Sequence, residues 1–171
     1  VRFGVVGVRN FANTHIRNLG ILEKEGTAKL TAILVNDQQR NGEAAKELAN
    51  RGVKVFTSWD DMLAQGKDYF DVLSLPVSIH THAPMSIDAM RAGYNVLVEK
   101  PPAPTIQELD EMIAVSRETG RWCAVGFQFI HSVTIRKLKD KIVNGDLGEI
   151  ADISCKAYWP RTKSYYTRNG W

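Results

Sequence analysis

Six short apolar runs separated by longer amphipathic stretches constrain this chain more than any other feature. The runs lie at residues 3–8, 29–35, 53–56, 70–75, 95–98 and 121–127. Each is too short for a stable helix and nearly continuous in apolar residues, the pattern of a strand buried on both faces. The stretches between them carry helical spacing or helix-start signals. Ile16, Leu19 and Leu22 share one face of a helix at 12–24, and further helices fall at 41–50, from Ser58 onward, at 82–91 and at 105–119. Ser58 with Asp61, and Thr105 with Glu108, have the spacing of helix N-caps. Strand–helix alternation of this kind builds a doubly wound parallel sheet, an α/β fold. Six strands complete such a domain at residues 1–127. A helix at 134–143 and a strand at 150–158 then read as the start of a second α/β domain, residues 128–171.

Composition narrows the class. Hydrophobic residues make up 44% and charged residues 24% of the chain, which suits a packed domain rather than a disordered one. No apolar run approaches the roughly 20 residues of a membrane helix. A net charge of +3 is too mild to argue for nucleic acid, and the basic stretch 136–141 reads as the wet face of a helix. Cys123 and Cys155 cannot make a disulfide framework, and both fall in apolar, strand-like runs. They read as buried free thiols of a reducing compartment, hence a cytoplasmic protein. The chain opens at Val1 inside a strand-like run, so export behind a removed leader stays open. Its other end, at Trp171, has no closing helix or cap and reads as a cut.

In doubly wound sheets, ligands bind beyond the carboxyl ends of the strands. The residues that follow the strands here are Arg9 and Asn10, then Asn36, Asp37 and Arg40, then Pro76, Ser78 and His80, then Glu99 and Lys100, and finally Gln128. The first turn, Gly7-Val8-Arg9-Asn10-Phe11-Ala12, fits the dinucleotide pattern G-x-G-x-x-A when Arg9 takes the second glycine position. Arg9 would then either obstruct the pyrophosphate or swing out and pair with it. Asp37 would bind a ribose hydroxyl and favour NAD, Arg40 would meet a 2′-phosphate and favour NADP, and a plain turn at Asp37 is the bland alternative. His80 and His82 form an H-x-H pair, with His15 and His131 as further candidate ligands. No cysteine pair or glutamate completes a zinc set nearby, so no metal is expected. His15 reads as a helix surface residue and His82 as a helix start.

Several of these segments together resemble the Gfo/Idh/MocA oxidoreductases, the family of glucose–fructose oxidoreductase and inositol dehydrogenase. They are GVVGVRNFANTH from Gly4, PVSIH from Pro76, EKPPA from Glu99, Gly126-Phe127-Gln128, and YYTRNGW closing at Trp171. The resemblance implies a Rossmann domain that binds NAD or NADP, then an α/β domain with substrate and oligomer contacts. Family members are about twice as long, and their second half carries a further Asp-and-His motif near the substrate. Lys100 matches the lysine between nicotinamide and substrate hydroxyl, which makes it the expected catalytic residue. Glu99 matches its acidic neighbour. The cofactor would be held by Gly7, Arg9, Asn10 and Phe11 at the first turn and by Asn36, Asp37 and Arg40 after the second strand. Leu75, Pro76 and His80 would follow after the fourth, with Glu99 and Lys100 after the fifth. Gln128 stands where many members have Asn, and Arg168 and Trp171 match a segment that returns toward the cofactor. Arg9 departs from a glycine, Val77 from a common Asn, and Phe129 and Ile130 from a frequent Arg.

The expected activity is hydride transfer between NAD or NADP and a sugar, polyol or related hydroxy compound, in a protein that forms a homo-oligomer at full length. Its partner is a small molecule, with no nucleic acid and no membrane. An NAD-dependent glycoside-cleaving relative and a nucleotide-binding protein without turnover are the alternatives.

Overall fold

The computed structural model describes residues 1–36 and 42–167 of the chain. Strands β1 (Arg2–Val6), β2 (Lys29–Leu34), β3 (Lys54–Phe56), β4 (Val72–Leu75), β5 (Asn95–Val98) and β6 (Cys123–Val125) form one sheet. All pairs are parallel and the order is β3-β2-β1-β4-β5-β6. This is the doubly wound order of nucleotide-binding sheets. Helices α1 (Phe11–Lys24), α2 (Glu43–Asn50), α3 (Trp59–Gln65), α4 (Ile79–Arg91) and α5 (Ile106–Thr119) fill the crossovers.

Side chains alternate along each strand, so the sheet has two apolar faces. Val5, Ile33 and Val35 point to one face and pack with Ala12 and Leu19 of α1 and Ala45 and Leu48 of α2. Val6, Ala32, Leu75, Val96 and Val98 belong to the other, with Met62 of α3, Ile87 and Met90 of α4, and Met112 and Val115 of α5. Burying a side chain of this size stabilises by about 1.5–3 kcal/mol, and both faces depend on the alternation holding its register. Local signals place the helices. Ser58 Oγ accepts the Asp61 N–H at 3.2 Å, and Thr105 caps α5 in the same way at 3.3 Å. Helix α4 begins at Ile79, three residues earlier than its sequence pattern suggests, and carries Pro84 inside it.

Two compact units divide the chain, Val1–Phe127 and Gln128–Trp171. In the second, a short 3-10 turn (Gln128–His131) precedes α6 (Val133–Val143) and α7 (Lys163–Thr167). Ser132 Oγ accepts the Ile135 N–H and caps α6. The expected strand at 150–158 is not formed, and residues 150–162 take neither helix nor strand. The reason is pairing: a strand needs a ladder partner, and among the described residues of this unit no other strand exists. Cys155, expected to be buried in that strand, is exposed in consequence, while Cys123 on β6 is partly buried.

Candidate functional site

Strand β1 pairs with β4 through Phe3–Val72, Gly4–Leu73 and Val5–Ser74. Helix α1 leaves β1 toward the Val5 face, whereas α4 leaves β4 toward the Val6 face. The two turns therefore diverge and open a crevice at the carboxyl edge of the sheet, the switch point of such folds.

Gly7 forms the first wall. Its φ of +89° is a conformation that glycine adopts without steric cost, and its N–H donates to Leu34 O at 2.7 Å. The turn brings Ala12 close, with its Cβ 3.5 Å from where a Gly7 side chain would begin. The second positive φ of the turn falls on Asn10 (φ 51°, ψ −126°), the residue after Arg9. Arg9 is exposed, on backbone that an L-residue adopts freely. Asn10 occupies the cap of α1 without a side-chain capping bond, and no acidic residue lies in the first helical turn. That end of α1 thus carries the positive end of the helix dipole with no carboxylate in its own first turn.

The remaining rim residues spread along the sheet edge. Asn36 is exposed just after β2, and Asp37 and Arg40 lie outside the described residues. Leu75 is fully buried at the end of β4, and Pro76 is half-buried beside it. His80 is exposed on the first turn of α4. The buried histidine of that turn is His82, only 1% exposed. Its Nδ1 lies 2.7 Å from Pro101 O and its Nε2 3.1 Å from Val77 O, so it ties the loop after β4 to the loop after β5. Gln128 belongs to the second unit, and Arg168 and Trp171 lie outside the described residues.

Glu99 and Lys100 follow β5 directly. Lys100 is exposed, and its N–H donates to Glu99 Oε2 at 3.3 Å. Glu99 Oε1 lies 3.0 Å from Nε2 of His15, whose Nδ1 lies 2.9 Å from Ser74 Oγ. His15 is thus no surface residue of α1: its side chain is 13% exposed and that of Glu99 14%. Helical spacing carried the signal for both missed histidines. His15 stands four residues before the buried Leu19, and His82 four before the buried Ser86. Among the described residues, no three His, Cys, Asp or Glu side chains gather as a metal site would need. What the rim assembles is an anion-attracting helix end, a carboxylate held by hydrogen bonds, and an exposed amine next to it.

Residues 1–127 match the family described as "Oxidoreductase family, NAD-binding Rossmann fold", GFO_IDH_MocA. A dTDP-3,4-didehydro-2,6-dideoxy-alpha-D-glucose 3-reductase of Actinomadura kijaniata is 31% identical over 151 residues, 88% of this chain and 43% of that protein. The D-glucoside 3-dehydrogenase of Escherichia coli K12 is 33% identical over 102 residues, 58% of this chain and 28% of its own. Among solved structures, the WlbA dehydrogenase of Bordetella pertussis, in complex with NADH and UDP-GlcNAcA, superimposes with a TM-score of 0.85 at 28% identity. That match covers 100% of this chain and 49% of the other. The chain spans about half the length, or less, of the relatives it matches.

Proposed function

Because the chain belongs to the Gfo/Idh/MocA oxidoreductase family, we propose that its protein transfers a hydride between NAD or NADP and a sugar, polyol or related hydroxy compound. A small sugar-class molecule is the partner, and a homo-oligomer is the assembled form. Residues 128–171 begin the domain that carries substrate and oligomer contacts.

The first unit fits the dinucleotide. Gly7 gives the turn its sharpness, Ala12 lets α1 approach the sheet, and a helix end with no carboxylate in its first turn suits a pyrophosphate. Gly7, Arg9, Asn10 and Phe11 would hold the phosphates, and Asn36 with Asp37 or Arg40 the adenosine ribose. Asp37 favours NAD and Arg40 favours NADP. Leu75, Pro76 and His80 would border the nicotinamide half. When bound, the nicotinamide supplies the hydride acceptor or donor.

The protein's part is position and proton handling. Oxidation of an alcohol releases a proton from the hydroxyl, and Lys100 is the base assigned to take it. The supporting observation is placement: Lys100 is exposed at the end of β5, one residue from a carboxylate fixed by hydrogen bonds, on the strand beside the switch-point strand β4. Lys100→Ala in the full-length protein should lower turnover by about 10²–10⁴-fold, the usual worth of a general base. NADH binding should stay within about tenfold. Wild-type turnover in that variant would remove Lys100 from the mechanism.

A further inference from the structure

We propose that His15 is a positioning residue for this rim, one that acts on Lys100 through Glu99. The proposal rests on the dehydrogenase reading above and adds to it a residue of α1.

Several groups converge on the Glu99 carboxylate and on the ring that holds it. His15 Nε2 lies 3.0 Å from Oε1, and the Lys100 N–H donates to Oε2 at 3.3 Å. Gly126 closes the third side, where an added Cβ would stand 2.6 Å from Oε1. The His15 ring is itself held edge-on by Phe11 at 5.4 Å between centroids.

An ionised carboxylate only accepts, so the Glu99 contact places a proton on His15 Nε2. Nδ1 lies 2.9 Å from the hydroxyl of Ser74, a residue 1% exposed, which can bond that nitrogen as donor or acceptor. Ser74 thus orients the imidazole, the imidazole orients the carboxylate, and the carboxylate receives the main chain of Lys100. The chain of contacts runs from β4 through α1 to the end of β5. Its middle member, His15, stands one helical turn after Phe11, the last residue of the turn assigned to the phosphates. A misplaced Lys100 costs rate rather than cofactor affinity, because a displacement of about 1 Å at a reacting group lowers turnover by about 10²-fold.

Two substitutions separate this role from simple packing. Glutamine places its amide nitrogen near the position of Nε2, whereas asparagine is too short to reach Glu99. In the full-length protein, His15→Asn should lower kcat by about 10–100-fold with NADH affinity within about threefold. His15→Gln should recover kcat to within about fivefold of wild type. Wild-type kcat in His15→Asn overturns the proposal. So does a parallel loss of kcat and NADH affinity in both variants, which marks a structural role only. A wild-type protein that turns over no sugar or polyol overturns the dehydrogenase reading instead. The contact is then decided by long-range 1H–15N spectra of histidine-labelled protein. They should show a proton on Nε2 of His15, with that preference lost in Glu99→Ala. A ring protonated on Nδ1 alone in the wild type overturns the contact itself.

Discussion

Burial on β6 sets the chemistry of Cys123. Loss of solvent pushes its thiol up to about 11, against about 8.5 for a free cysteine. The folded state therefore keeps a proton that the unfolded state releases. The stabilisation is fully present below about pH 8.5 and is lost as pH rises through about 11. At pH 9, native Cys123 should react with iodoacetamide at least about tenfold more slowly than in urea, read by mass spectrometry of the modified peptide. Equal rates would contradict a buried thiol. Other residues at this scale were legible only in part. Gly7 declares itself because few other residues turn a strand into a helix so tightly. His15 and His82 do not, since a histidine in a helix is compatible with either face, and only its distance from later core residues decides. His80, exposed, had the sequence position but not the burial, and the positive φ at Asn10 had no sequence signal at all.

At the scale of elements, helix α5 shows how local chemistry fixes a boundary. Thr105 Oγ1 accepts the Glu108 N–H at 3.3 Å and donates to Glu108 Oε2 at 2.7 Å. The helix then covers β5 and β6 with Met112 and Val115, which are buried against that face of the sheet. Thr105→Ala should cost about 1 kcal/mol of stability, visible as a lower urea midpoint with unchanged slope. A midpoint equal to wild type would mean that packing alone holds the start of α5. The six apolar runs were legible as strands because they alternate with helices, so that each finds a parallel neighbour in one sheet. The expected strand at 150–158 failed because β structure is not a local property. Its apolar residues suit a strand, but the hydrogen-bonding partner has to come from elsewhere in the fold.

Across the whole molecule, the sheet order and its switch point determine where chemistry can occur. Strand alternation carried the six-stranded parallel fold, and no helix among the described residues is long and apolar enough to cross a membrane. Substrate identity was not legible, because the chain holds about half of its relatives' length or less. Asp37 and Arg40, proposed to decide between NAD and NADP, lie outside the described residues. Binding of a nicotinamide dinucleotide at the turn from Gly7 into α1 is what the proposed function requires first. It is tested most directly by titrating the full-length protein with NADH and then NADPH while following tryptophan fluorescence. Saturable quenching in the micromolar range is expected. Binding should be at least about tenfold weaker in Gly7→Val, because a β-branched side chain is strained at φ +89°. A folded protein that binds neither dinucleotide, or binds equally well with valine at that turn, would contradict it.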